Sequence, residues 1–215
     1  MKKLQFLFLF LLTFFFLEKT NAQWSVTPSI GVNNAKIINN DKSPKHPLDL
    51  DKHSANYIMG GVTAKYNFTK KYAAELGIQF SQKGQQASNK DLILRYKVQY
   101  YELMPVFEYS PFSFLSFYSG LNIGVKGDEF FSSDNKNWQQ FPKTGSWLHP
   151  IDFGGLIGAR LKYKKIQLGI HANRSLIPIS KEMRTNSNGE QIGNLKSFHR
   201  VFQLSLGYII DFKDK

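Results

Sequence analysis

From Trp24 onward, apolar and polar residues alternate over one stretch after another. Ile58, Gly60, Val62, Ala64, Tyr66 and Phe68 share one parity, against Met59, Gly61, Thr63, Lys65 and Asn67. Tyr72, Ala74, Leu76, Ile78 and Phe80 stand against Ala73, Glu75, Gly77, Gln79 and Ser81. Leu115, Phe117, Leu121, Ile123 and Val125 repeat the pattern, followed by Ile151, Phe153, Ile157, Ala159 and Leu161, and by Ile166, Leu168, Ile170 and Ala172. The last run is Phe202, Leu204, Leu206, Tyr208, Ile210 and Phe212. Side chains of a strand point alternately to opposite faces, so a period of two predicts strands. With Trp24–Asn33 and Leu92–Tyr109 the count reaches eight, an even number that suits a closed antiparallel barrel. Within Leu92–Tyr109 the apolar phase Leu92, Leu94, Tyr96, Val98, Tyr100 would turn Glu102 to the apolar side. A bulge near Tyr100-Tyr101 is expected to return it to the interior, and Pro105, which has no N–H for a ladder, marks a disturbance nearby.

The connections decide which face points inward. Thr69-Lys70-Lys71, Ser110-Pro111-Phe112 and Lys164-Lys165 are short; Asn34 to Asn56, Lys83 to Asp91, Lys126 to His149 and Ile177 to Ser197 are longer. Strict alternation of short and long is the mark of an up-and-down transmembrane β-barrel with tight periplasmic turns, four longer outer loops and both termini in the periplasm. Apolar residues then face lipid. Tyr66, Phe68, Tyr72, Phe80, Phe112, Phe114, Tyr163 and Phe212 sit towards strand ends, where interfacial aromatic girdles belong. The opposite face carries Lys65, Glu75, Arg95, Lys97, Asp152, Arg160, His171 and Asp211, an expected interior polar network. An eight-stranded barrel is only wide enough to be filled by side chains, so each acid should lie beside a cation and no free pore is expected. A soluble exported barrel of the lipocalin kind, filled with a small apolar ligand, is the alternative with the faces reversed.

The start of the chain fits this address. Met1-Lys2-Lys3 is a positive start, Leu4 to Leu17 is apolar but short for a membrane-spanning helix, and Thr20-Asn21-Ala22 approaches a cut before Gln23. That is the pattern of a cleaved signal peptide at residues 1–22, leaving 23–215 as a single barrel domain in the outer membrane of a Gram-negative cell. Roughly 193 residues remain, enough for a sizeable folded unit. There is no cysteine, so backbone pairing and packing must hold it. The formal charge of the whole chain is +12. An exported chain seldom meets nucleic acid, and the basic surplus points instead to outer-membrane lipid or lipopolysaccharide phosphates. Lys70, Lys71, Lys164 and Lys165 form basic periplasmic turns that could also meet an acidic periplasmic protein, and the outer loops an extracellular one; the barrel is expected to be a monomer.

The stretches "YNFTKKYAAELGIQFSQKG", "YYELMPVFEY", "FYSGLNIGV", "DFGGLIGARLKYKKIQLGI" and "FQLSLGYIIDF" resemble, in order and spacing, the PorT-like outer-membrane β-barrel family of Bacteroidetes-type bacteria. The likeness spans nearly the whole mature chain. It implies an outer-membrane barrel and carries no catalytic residue to transfer.

Candidate chemistry is sparse. No His-Glu-x-x-His, paired histidine or cysteine offers a metal site, and no cofactor motif is present. Gly154-Gly155-Leu156-Ile157-Gly158 lies within a strand, where glycine makes room for long neighbours, rather than at the strand-to-helix turn of a phosphate loop. His171 and His199, with Ser175 and Ser205 a few rungs away, keep open a lipid hydrolase or acyltransferase. Ser146, His149 and Asp152 form a second such cluster, without a Gly-x-Ser-x-Gly elbow. The leading expectation is a non-enzymatic barrel with a binding or structural role.

Overall fold

The computed structural model describes residues 23–39, 51–88, 92–133, 137–142, 145–180, 183–185, 191–194 and 196–212. The expected signal segment 1–22 lies outside them. Along the chain the strands are β1 Gln23–Asn39, β2 Asp51–His53, β3 Ala55–Asn67, β4 Tyr72–Ser88, β5 Ile93–Phe112, β6 Leu115–Ser132, β7 Gln139–Gln140, β8 Ile151–Tyr163, β9 Ile166–Ser175, β10 Met183–Thr185, β11 Gln191–Asn194, β12 Ser197–Tyr208 and β13 Ile210–Phe212.

Eight of them close a ring in chain order, β1-β3-β4-β5-β6-β8-β9-β12, every pair antiparallel, with β12 returning to β1. Closure runs from Ser29 opposite Gly207 to Asn39 opposite Ser197, and β13 continues the seam below it. A ring has no free edge, which is what a strand structure needs where no water can satisfy backbone groups. Hairpin β10–β11 lies off the ring.

Alternation decides the two faces. Ile30, Ile58, Ile78, Ile157 and Ile170 are more than half exposed, while Glu75, Gln79, Glu102, Glu108, Asp152 and His171 are buried. Apolar outside and polar inside is the arrangement of a lipid-embedded barrel and the reverse of a soluble one. At the end holding the three tight turns, Gln23 and Phe212, residues Trp24, Tyr66 and Phe68 form a run of ring contacts at 4.9 and 5.1 Å, and Tyr72 stacks on Tyr109 at 5.3 Å. That is the periplasmic girdle. Lys164, in the β8–β9 turn, adopts φ 53°, a left-handed conformation usually left to Gly or Asn.

Two expectations change. The wall rises further than the alternation shows: β4 runs to Ser88 and β5 begins at Ile93, so most of the expected Lys83–Asp91 loop is paired strand. Above the lipid the outward face meets water while the inward face stays packed around Lys83 and Val98, so backbone pairing continues without a lipid-facing apolar phase to betray it. The second concerns β5. Its register with β4 is unbroken from Tyr72–Tyr109 to Ser88–Ile93, without the bulge expected at Tyr100-Tyr101. Tyr96, Val98 and Tyr100 point inward with Glu102, and Tyr101, Leu103 and Phe107 face lipid. The irregularity falls on the β6 side, where Val98 faces Glu129 and Tyr100 faces Lys126.

Candidate functional site

The lumen is the place where side chains of distant strands converge, and it is layered. The periplasmic layer is built on Glu75 of β4, Glu108 of β5 and Arg160 of β8, three groups that successive inward positions bring together. The Arg160 guanidinium donates to Glu75 at 2.5 and 2.6 Å and to Glu108 at 2.7 Å. Lys65 donates to Glu108, with Glu75 4.0 Å away, and Lys162 donates to Glu108 at 2.6 Å. Tyr118 lies face-on to Arg160, 3.9 Å from the ring centre. A Cβ at Gly158 would come within 2.5 Å of that ring, so glycine here leaves the space that Tyr118 occupies.

The middle layer centres on Lys83. Its ammonium lies 2.6 Å from Glu102 and 2.8 Å from Asp152, all three buried. Gln79 donates to Glu102 at 2.6 Å, and Ser175 donates to Asp152 at 2.6 Å. Burying these ions singly would be prohibitive, and each has an opposite charge with further hydrogen bonds, the condition under which buried pairs persist.

The outer layer is apolar. Ile37 of β1 with Val98 and Tyr100 of β5 receives Leu148, which precedes β8, and Ile179, which follows β9. The backbone locks the two connections together: Leu148 bridges Ser180, His149 N–H donates to the Ile179 carbonyl at 2.7 Å, and Ile179 N–H donates to the Ser197 carbonyl at 2.8 Å. Leu148 and Ile179 therefore cork the mouth. Beside the cork, Glu129 accepts from Lys126, from Tyr96 and, at 2.5 Å, from Ser146. Burial alone would raise the Glu129 carboxyl, but bonds from Lys126, Ser146 and Tyr96 outweigh it and hold the group below the usual carboxylate range.

Of the sequence candidates, Lys65, Glu75 and Arg160 meet in the periplasmic layer and Asp152 in the middle one. His171 points inward with its Nδ1 3.1 Å from the Tyr118 hydroxyl. Asp211 is exposed at the periplasmic mouth, lining a recess with Lys65 and Lys162. Arg95 and Lys97 are on the outer face of β5 instead, because that strand keeps one phase throughout. Arg95 bonds Gln86 at 3.0 Å, and Lys97 sits 4.2 Å from the Trp138 ring centre and 5.0 Å from that of Phe130. Sequence reasoning missed Lys83, Glu108 and Lys162. The shared parity of Glu102, Met104, Val106 and Glu108 could have revealed Glu108 once the phase of β5 was known.

The serine and histidine pairs do not assemble. Ser175 spends its hydroxyl proton on Asp152 and accepts from the His199 backbone N–H, while the His199 Nε2 lies 3.3 Å from the Tyr100 hydroxyl. Ser205 is 3.4 Å from the Gly169 carbonyl. Ser146 bonds Glu129 and Lys126, not His149. Among the described residues no cluster of His, Asp and Glu could hold a metal ion.

Residues 18–181 match the family model described as outer membrane protein beta-barrel domain. No curated protein is detectably similar to the sequence. Among solved structures, the attachment invasion locus protein Ail of Yersinia pestis is 13% identical with a TM-score of 0.49, covering 89% of this chain and 100% of that one. Neisserial surface protein A is 11% identical with a TM-score of 0.45, covering 88% and 99%. Outer membrane protein W of E. coli is 15% identical with a TM-score of 0.36, covering 85% and 97%. Likenesses this distant lend this chain no activity.

Proposed function

The chain belongs to the outer membrane protein beta-barrel domain family, and from that premise we propose that it is a sealed, non-enzymatic barrel that works through its outer surfaces rather than through its lumen. The observation that carries this is the occlusion of the lumen, by two ion-pair layers and by the Leu148–Ile179 cork above them. Solute passage would require both to be dismantled. The scattered serines and histidines favour the non-enzymatic reading over a lipid hydrolase or acyltransferase. What remains for function is the tall β4–β6 wall with the outer loops on one side, and the exposed lysines of the tight turns, Lys70, Lys71, Lys164 and Lys165, on the other. Anionic inner-leaflet lipid or an acidic periplasmic protein is the partner chemistry those lysines suit. The finer assignment to the PorT-like branch rests on the order and spacing of the strand sequences named above.

Reconstitution in planar bilayers tests the central claim. Purified barrel is expected to give no stable conductance steps, and lipid mass spectrometry of a deletion strain no change in acylation. Steady ion conductance by the wild-type protein would overturn it.

A further inference from the structure

Three cations stand side by side on the outer wall, near the ends of three neighbouring strands that lie away from the tight turns. On β9 the outward positions read Ile166, Leu168, Ile170, Ala172 and then Arg174; on β12 they read Tyr208, Leu206, Leu204, Phe202 and then Arg200; on β1 Ile30, Val32 and Asn34 lead to Lys36. The register sets Arg174 directly opposite Arg200, and Arg200 directly opposite Lys36. Like charges so placed repel one another. Among the described residues no carboxylate pairs with any of the three. All lie at the end of the barrel away from the tight turns, which is the outer-leaflet side.

Below them the lipid face is dented. Ala159 and Ala172, small residues between the larger Phe117 and Phe202, leave an open apolar groove of about 690 Å³ bounded also by Leu204 and Ile170. A second recess continues upward from it and is lined by Arg174 and Arg200 themselves. A cationic row above an apolar slot on the outer leaflet matches an amphiphile with phosphates at the membrane surface and an acyl chain beneath them. Guanidinium forks suit phosphate oxygens, and an intervening phosphate converts the repulsion of the row into attraction.

We propose that Lys36, Arg174 and Arg200, with the groove beneath them, bind one phosphorylated glycolipid of the lipid A type. The cations engage its phosphates, and one acyl chain lies between Phe117 and Phe202. The proposal rests on the outer-membrane reading, in which this rim faces the outer leaflet.

The test places the purified barrel in phosphatidylcholine nanodiscs carrying either lipid A or chemically dephosphorylated lipid A, and counts retained glycolipid by native mass spectrometry. Wild-type barrel should retain lipid A and lose the dephosphorylated form. Replacing Lys36, Arg174 and Arg200 together with glutamine should weaken retention by roughly a hundredfold, as three surface charges of ordinary strength predict. Filling the slot with Ala159→Phe and Ala172→Phe should weaken it with the cations intact, whereas glutamine at Lys70, Lys71, Lys164 and Lys165, on the opposite rim, should not. Heat-modifiable migration verifies folding of every variant, and the single Arg200→Gln change serves if the triple one fails to fold. Equal retention of both lipids by the wild type, or unweakened retention by the folded cation variant, would overturn the site. The conductance measurement reads sealing and this one reads lipid, so either proposal can fail alone.

Discussion

The Lys83 ammonium lies 2.8 Å from an Asp152 carboxylate oxygen across the lumen, joining β4 to β8, strands that do not touch in the sheet. Glu102 is 2.6 Å from the same ammonium. Lys83→Met should therefore leave two buried carboxylates facing each other and cost about 3–5 kcal/mol. Adding Glu102→Gln and Asp152→Asn to that variant should recover much of the loss. Urea unfolding in lipid vesicles measures both; a Lys83→Met barrel as stable as wild type would show that the pair is not what ties these walls.

The phase of the closing strand gives a second expectation. Leu204 is half exposed on the lipid face and opposite Val32, whereas Gln203 is buried beside Gln79. Leu204→Arg should destabilise the barrel by roughly 2–4 kcal/mol, the cost of a cation near the bilayer midplane. Gln203→Arg should instead be limited by crowding against the middle layer. Folding into vesicles of thin and thick acyl chains separates the two, because only the lipid-face cost should grow with thickness.

How far the sequence could be read follows from what surrounds each strand. Runs such as Ile166–Ala172 and Phe202–Tyr208 separate lipid from lumen, so a polar residue on the wrong face is expensive and the period of two is clean. On β5 the signal misleads. Tyr96, Val98 and Tyr100 are apolar because they pack beneath Leu148 and Ile179, not because they face lipid. An apolar cork inverts the local pattern, and with it Arg95 and Lys97 exchange faces. Individual ion pairs were less legible still. Lys83 meets Asp152 across 69 positions of sequence, a contact fixed by strand tilt and barrel closure rather than by any local spacing.

The cork yields a third expectation. Leu148 and Ile179 are almost wholly buried at the barrel mouth, yet they come from connections rather than ring strands. Leu148→Asp with Ile179→Asp should free both connections while leaving the ring intact. Protease cleavage within residues 145–150 and 176–180, which flank β8 and β9, should speed up, and heat-modifiable migration should persist. Conductance should remain absent, because the layers of Lys83 and Arg160 still fill the lumen. Open channels in this variant would assign the sealing to the cork alone.

Acid should release the same connection by another route. Glu129 holds Ser146 and Lys126 and lies outside the lipid-embedded wall, and its carboxyl is more acidic in the folded barrel than in an unfolded chain. A depressed carboxylate contributes stability that is present above its ordinary pKa, near 4.3, and fades as pH falls below that value through the folded one. With Trp24 and Trp138 replaced by phenylalanine, Trp147, which packs against Tyr96 at 5.6 Å, reports on the connection. Its emission should be steady from pH 7 to about 5 and shift towards that of solvated tryptophan as the pH drops below about 4. Glu129→Gln should show much of that shift already at neutral pH and little further change on acidification. An unaltered acid transition in Glu129→Gln would assign the release to another carboxylate.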